Sequence, residues 1–350
     1  MRSSAQASGP VRHSKKLATG PMTGRILWQA GSLWPKLKAQ TQHGLTVGAL
    51  QPVETHLEYL SCDPPLRTSG DVPNGEFRFI VRILANLSRK QKARSQQGKT
   101  APANPFLPYE EDLYVTDILD THLCLLNKFN VVDHHFLIVT RQFESQETWL
   151  TLADFEALSR CLNDVDGLAF YNAGTLAGAS QPHKHLQVVP YTETFPTFPI
   201  EQAITAAIST TIQTDGIWAS PLFPFEHAIA SLNPNFHEKN SPLSDSAAKA
   251  DNYLINYRSL LNAVGINCPP NSDSNDRAWQ GPQTAPYNLI CTRQWMMVVP
   301  RSQEKFANIS VNALGFAGSL LVKNQQKLEE LRQIGPMTLL QQVGYQTLPR

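Results

Sequence analysis

Pairs of short apolar runs, joined by connections too brief to hold a helix, recur along this chain and confine it to antiparallel pairing. His122–Leu126 and His135–Thr140 flank a turn at Lys128–Asp133, and Tyr287–Cys291 and Trp295–Val299 flank only Thr292–Gln294. A parallel partner would need a crossover of a dozen or more residues. Leu168–Asn172 and His183–Val189 bracket a Gly/Ala/Ser-rich turn at Gly174–Ser180. Residues 54–60 and 77–84 alternate as strands. In the second of these, Phe77, Phe79, Val81 and Ile83 share one face, and Arg78 and Arg82 share the other, read as a solvent-facing edge.

Helices are fewer. Thr151-Leu152-Ala153-Asp154 is a capping box that opens a helix over Leu152–Leu162. Helical spacing also predicts Thr23–Trp34, Glu201–Gln213, Ala247–Val264 and a closing helix over 312–332. Polar or Pro/Gly-rich stretches at 62–75, 88–103 and 267–286 read as loops. Hairpins with a few interleaved helices place the chain in the α+β class. At 350 residues, a prior of roughly 150 residues per domain suggests two. The expected division is an N-terminal catalytic domain over 23–215 and a C-terminal lobe over 216–345 that completes the site.

Charge narrows the function classes. With 30 Lys+Arg against 29 Asp+Glu, the net charge is +1, which argues against a nucleic-acid binder held by phosphate contacts. No apolar stretch of about 18 residues is present, so no membrane span is expected. Five scattered cysteines with no C-x-x-C pair argue against a disulfide framework and for a reducing, cytoplasmic compartment. The first 53 residues lack any acidic side chain, a pattern shared with transit peptides. The simpler expectation is a disordered basic extension over 1–22.

The chemistry concentrates in Gly178-Ala179-Ser180-Gln181-Pro182-His183-Lys184-His185-Leu186-Gln187. On a strand, His183, His185 and Gln187 share a face while Lys184 and Leu186 share the other. Three readings compete. The histidines can be structural, satisfied by backbone partners. They can ligate zinc, although none of His56, His122, His134, His135, His227 and His237 stands at a recognisable ligand spacing. Or one imidazole can act as a covalent nucleophile toward phosphorus. In that case the turn supplies backbone N–H groups and the Ser180 hydroxyl to phosphate oxygens. Gln187 then donates to an oxygen on which charge builds, a contact worth about 3–4 kcal/mol.

Together with Tyr171-Asn172-Ala173-Gly174, this stretch resembles the H-x-H-x-Q motif of the histidine-triad superfamily. It is more closely similar to the ATP adenylyltransferase (diadenosine tetraphosphate phosphorylase) family. Gly48–Gln51, Asn104-Pro105-Phe106, Leu126–Asn130, His135–Arg141, Tyr287–Arg293, Trp295–Met297 with Pro300-Arg301, and Asn312–Gly318 carry the same resemblance. It implies a histidine-triad-like antiparallel sheet with helices, and reversible phosphorolysis of diadenosine tetraphosphate to ATP and ADP. His185 would be the adenylylated nucleophile and His183 would orient it through the local backbone. Gln187, Gly178, Ala179 and Ser180 would hold the α-phosphate, and Asn172 a ribose or phosphate oxygen. Asn104 and Pro105 are also assigned to nucleotide binding. Asn288, Leu289, Ile290, Met297 and Arg301 would line the distal nucleotide side, and His227 would approach from the second lobe. Expected partners are a dinucleoside polyphosphate, ATP, ADP and phosphate. No covalent cofactor and no protein-held metal are expected, and a divalent cation such as Mg2+ would accompany the polyphosphate. The family's N-terminal polyphosphate lysine has no assignable counterpart, Lys36 and Lys38 being the nearest. A hexose-1-phosphate uridylyltransferase, which shares the motif, and a catalytically silent nucleotide sensor are the alternatives.

Overall fold

The computed structural model describes residues 28–61, 77–85, 104–210, 216–232, 246–267, 279 and 281–346. The extension expected over 1–22, the loops 62–75 and 88–103, and Cys62, His237 and Cys268 lie outside the described residues.

In chain order the first half holds helix α1 (Leu33–Val47), strands β1 (Thr55–Ser61), β2 (Arg78–Leu84), β3 (Tyr114–Asp117), β4 (His122–Leu126) and β5 (Phe136–Thr140). Helix α2 (Leu152–Asp164), strands β6 (Gly167–Ala173) and β7 (His185–Pro190), and helix α3 (Ile200–Thr210) follow. The second half adds β8 (Ile217–Trp218), β9 (Ala228–Ser231), helix α4 (Ser246–Ala263), β10 (Tyr287–Cys291) and β11 (Trp295–Pro300). It closes with β12 (Lys305–Phe306), β13 (Ile309–Ser310), the short helix α5 (Ala313–Phe316), β14 (Ser319–Val322), and helices α6 (Gln325–Ile334) and α7 (Pro336–Val343).

Nine strands form one sheet in the order β3-β4-β5-β7-β6-β10-β11-β9-β8, and every neighbouring pair is antiparallel. The pairs read from the sequence account for three of these eight, β4 with β5, β6 with β7 and β10 with β11. At the centre β6 pairs with β10, Asn172 opposite Asn288, so the sheet runs unbroken across the division expected near 215. A second sheet, β1-β2-β14, joins the two halves again through parallel pairing of β14 with β2.

Alternation sorts the side chains of the large sheet. Leu186 and Val188 of β7, with Phe136, Ile138 and Tyr171, pack beneath Leu33 and Leu37 of α1, Phe155 and Leu158 of α2, and Tyr253 and Tyr257 of α4. The other face carries Phe170, Val189, Ile290 and Met297, in one core with Phe79 and Val81 of β2, Ile204 of α3, and Leu320 and Val322 of β14. Each large side chain fully buried in these layers contributes about 1.5–3 kcal/mol. His185 and Gln187 belong by parity to this second face.

Local chemistry explains where the elements begin and end. The capping box of α2 is formed, with Thr151 Oγ1 accepting from the Asp154 N–H and the Asp154 carboxylate accepting from the Thr151 N–H at 2.7 Å. The first helix is not at Thr23–Trp34. Residues 23–27 lie outside the described residues, 28–32 are non-helical, and α1 starts at Leu33. Pro35 fits there because a first-turn N–H has no intrahelical partner to lose. The free N–H of Leu33 is instead capped by Asp164, across the fold, at 3.1 Å. The closing helix over 312–332 is also corrected. Gly318 (φ 89°) ends α5 in the left-handed region, β14 follows as a strand, and Asn324 restarts helix by accepting the Lys327 N–H at 2.9 Å. Among the described residues no helix is long and apolar enough to cross a membrane.

Candidate active site

A cavity of about 710 Å³ opens between the second face of the large sheet and the β2–β14 sheet. Its floor is set by strand parity: Leu137, Gln187 and Phe170 stand in one rank across β5, β7 and β6, with His185 two residues along. One end is apolar, with Phe106, Leu113, Leu125 and Phe129. The opposite wall brings Arg82, Leu320 and Val322.

His185 is held at the backbone and at one ring nitrogen. Its N–H donates to Gln146 Oε1 at 2.8 Å, and its carbonyl accepts from Gln146 Nε2 at 3.2 Å. The ring Nδ1 lies 2.8 Å from the His183 carbonyl. A carbonyl only accepts, so Nδ1 carries the proton and Nε2 keeps a free lone pair. Nε2 has no hydrogen-bond partner among the described residues, and His185 lines the cavity. Burial pushes its pKa down to about 4, against the stabilising bond to the His183 carbonyl, so the ring is neutral near pH 7.

His183 is the structural member of the pair. Its Nε2–H donates to the carbonyls of Thr140 at 2.9 Å and Gln142 at 3.1 Å, while Nδ1 accepts from Asn104 Nδ2 at 2.9 Å. Burial lowers its pKa, opposed by those carbonyls. Both nitrogens are engaged, and the ring is fully buried outside the cavity. Asn104 thus stands behind the site, held to His183 and accepting from the Phe106 N–H at 3.0 Å, while its neighbours Pro105 and Phe106 line the cavity. The Phe106 ring lies 5.3 Å from the His185 ring, centroid to centroid.

Lys184, between the two histidines, points the other way. Its ammonium donates to Glu144 at 2.9 Å, the Trp149 carbonyl at 2.9 Å and Asp154 at 3.2 Å. Asp154 also meets His122 Nε2 at 3.0 Å. Burial raises the Asp154 pKa, but Lys184 and His122 outweigh it and hold the carboxyl well below the usual range. The carboxylate that caps α2 therefore also anchors β7.

The turn before β7 departs from expectation. The N–H groups of Ala177 and Ala179 donate to the Gly174 carbonyl, and that of Gly178 to the Thr175 carbonyl. The predicted cradle of backbone donors at Gly178 and Ala179 is spent on folding the turn itself. Gly178 lies in the left-handed region (φ 88°), and a Cβ there would come within 2.7 Å of the Val311 carbonyl oxygen. The turn thus packs flat on the segment before α5 and presents Gly178, Ala179 and Ser180 to the cavity.

Asn172 lines the cavity with its amide fixed from behind. Its Oδ1 accepts from Asn288 Nδ2 and from the Ala313 N–H, both at 2.9 Å. Asn288 Nδ2 also donates to the Ala177 carbonyl at 2.8 Å. Arg301 donates to Asn288 Oδ1 at 2.7 Å and to the carbonyls of Val311 (2.9 Å), Gln303 (2.8 Å) and Val343 (3.1 Å). Asn288 and Arg301 are fully buried. They do not line the nucleotide side as expected but brace the turn and Asn172. Leu289, Ile290 and Met297 are core residues and likewise do not reach the cavity. His227 is also corrected: it accepts from the Ser220 N–H at 2.8 Å and donates to the Phe225 carbonyl at 2.7 Å, away from the cavity.

Sequence reasoning missed three contributors. His135 lines the cavity with its Nδ1 accepting from Asn127 at 3.1 Å. Burial drives its pKa to about 4, and the Gln187 amide is near enough to oppose that shift. Its place at the start of β5 was legible, but its face was not. Gln146, in a loop without a motif, gave no signal. Arg82 was read as solvent-facing and is instead 9% exposed on the cavity wall. Lys36 and Lys38, the candidates for a polyphosphate lysine, meet Thr116 and the Trp34 ring and do not line the cavity.

Residues 23–206 match the Ap4A phosphorylase N-terminal domain and residues 221–346 the ATP adenylyltransferase C-terminal domain. Diadenosine 5',5'''-P1,P4-tetraphosphate phosphorylase 2 of Saccharomyces cerevisiae is 30% identical over 283 residues, covering 74% of this chain and 80% of that protein. Protein APA1 of the same yeast is 27% identical over 275 residues, with the same coverage. In three dimensions the chain is similar to yeast Ap4A phosphorylase Apa2 in complex with AMP. There the TM-score is 0.66 at 24% identity, over 91% of this chain and 99% of that one. The complex of the same enzyme with Ap4A gives a TM-score of 0.63 at 22% identity, over 91% and 98%. By both of its halves, this chain belongs to the Ap4A phosphorylase family, whose C-terminal part is the ATP adenylyltransferase domain.

Proposed function

We propose that this protein is a nucleotidyltransferase that cleaves diadenosine tetraphosphate with inorganic phosphate to ATP and ADP, reversibly, through an adenylyl-histidine on His185. The observation that carries this reading is the single imidazole whose Nδ1–H is tied to a backbone carbonyl while its neutral Nε2 opens on the cavity. The Nε2 lone pair attacks one α-phosphorus, the Pα–O bond toward Pβ breaks, and ATP departs with that electron pair. ATP leaves as a stabilised phosphate anion, so no acid is required. The adenylylated ring carries a positive charge that the His183 carbonyl, already bonded to Nδ1–H, stabilises without reorganisation. A phosphate oxygen then attacks the same phosphorus, the P–N bond breaks, ADP leaves, and neutral His185 is restored.

Gln187 and Ser180, both on the cavity, supply donors to the α-phosphate. Asn172 is fixed for a ribose or phosphate oxygen, and the apolar end around Phe106, Leu113 and Leu125 receives an adenine. Among the described residues no cluster of three or more His, Cys, Asp and Glu side chains could chelate a metal. In this reading a divalent cation such as Mg2+ accompanies the polyphosphate. A reducing, cytoplasmic compartment suits the buried free thiols of Cys124, Cys161 and Cys291.

Product analysis with diadenosine tetraphosphate is the direct test. ATP and ADP should appear together only when phosphate is added, and without phosphate a stoichiometric burst of ATP should accompany acid-labile adenylylated protein. His185→Ala should lower turnover by roughly four orders of magnitude or more with nucleotide binding retained. Hydrolysis without phosphate, or a His185→Ala variant at a tenth of wild-type rate, would overturn the reading. Tight binding without any label on the wild type would make the protein a sensor.

A further inference from the structure

We infer that Arg82 binds the phosphoryl group next to the one that His185 attacks, and so determines how the protein distinguishes a polyphosphate from a monophosphate. This rests on the adenylyl-transfer reading. Arg82 sits mid-strand in β2, paired on one side with Leu57 of β1 and on the other with Leu321 of β14. Its backbone is therefore fixed. The side chain is 9% exposed and lines the same cavity as His185 and Gln187. Its Nε is buried without a hydrogen-bond partner, and among the described residues the guanidinium makes no ion pair. Its charge lies 5.6 Å from the ring of Phe195 and is favoured at longer range by Tyr59 and Asp133, neither of which makes an ion pair with it.

The other cations of the cavity differ. Lys128 is taken by Glu110 at 2.7 and 2.8 Å, Lys327 is paired with Glu330, and Lys323 is exposed. A buried guanidinium left without an anion is costly, and its fork of five donors matches a phosphate bidentately. Among the described residues the cavity wall thus holds a cation with no anion in contact with it. Displacement in line at phosphorus sends the leaving phosphoryl group out opposite Nε2 and brings the acceptor phosphate in along the same path. One cation can therefore serve both anions.

The test uses Arg82→Met, which keeps the aliphatic bulk, and Arg82→Lys, which keeps the charge without the fork. Folding is checked by thermal midpoint. In a His185→Asn background, which blocks covalent transfer, ATP and AMP affinities are compared by calorimetry. Arg82→Met should weaken ATP on the order of 10–100-fold and AMP less than about twofold, with Arg82→Lys between. In the active enzyme, the KM for phosphate in discharging the adenylylated protein should rise on the same scale. An effect on ATP alone assigns Arg82 to the polyphosphate, and an effect on phosphate alone assigns it to the acceptor. Either supports the inference. Unchanged ATP and phosphate parameters in a folded Arg82→Met protein would overturn it, and so would equal losses for ATP and AMP. Failure of the wild type to form ATP and ADP from diadenosine tetraphosphate would sink the underlying reading instead. Arg78→Met removes a charge from the exposed start of the same strand and should leave all of these values unchanged.

Discussion

A nucleophile that must be neutral to react gains from being costly to protonate. His185, the nucleophile proposed above, meets that requirement by burial, and its pKa near 4 separates it from an ordinary imidazole near ~6.5. The rate of the ATP burst should therefore change less than about twofold between pH 8 and pH 5, where an unperturbed imidazole would lose about 30-fold. Single-turnover measurements over that range decide the matter. Gln187, ranked with Leu137 and Phe170 on the cavity floor, is the donor proposed for the oxygen on which charge accumulates. Replacing Gln187 by Ala should slow adenylylation by roughly two to three orders of magnitude, with little change in the affinity for AMP.

Strand β7 is positioned from both faces at once. Toward the helices, Lys184 is buried against Asp154, the capping residue of α2, so the start of one element fixes the register of another. Lys184→Met should cost about 3–5 kcal/mol in urea unfolding because it strands the Asp154 carboxylate. Adding Asp154→Asn should recover part of that loss, a coupling that a double-mutant cycle measures. The periodicity of the sequence placed His183 and Lys184 on opposite sides of one strand, whereas β7 begins only at His185 and both residues stand in the segment that leads into it. The motif also identified His185 and Gln187 as cavity residues. The roles of Asn288 and Arg301 were not legible, because a polar residue in a strand reads alike whether it touches ligand or braces what does. Only the long-range bonds from Arg301 through Asn288 to Asn172 decide between them. Arg82 was misplaced for a related reason. Alternation marks a polar face, but it does not reveal that the rest of the fold buries it.

Across the whole molecule, neutral buried imidazoles tie stability to pH. His135 and His185 titrate near 4 when folded, and His183 is lowered as well, whereas unfolded histidines titrate near ~6.5. Between those values the unfolded chain binds more protons. The stability these groups contribute is therefore complete above about pH 6.5 and is lost as pH falls toward 4. Midpoints of urea unfolding should decline over that window, and a flat profile would show that the rings are not buried neutral.

The central pairing of β6 with β10 has a consequence for how the chain could be divided. Residues 23–206 and 221–346 match two separate family descriptions, yet the hydrogen bonds between Ala169–Ala173 and Tyr287–Cys291 belong to neither stretch alone. Cut anywhere between them, each fragment would bear a raw, unpaired strand margin, the kind of edge that recruits foreign strands and aggregates. The imidazole proposed as nucleophile is supplied by the first stretch, but the bracing beneath Asn172 is supplied by the second, so on that proposal neither could inherit the chemistry by itself.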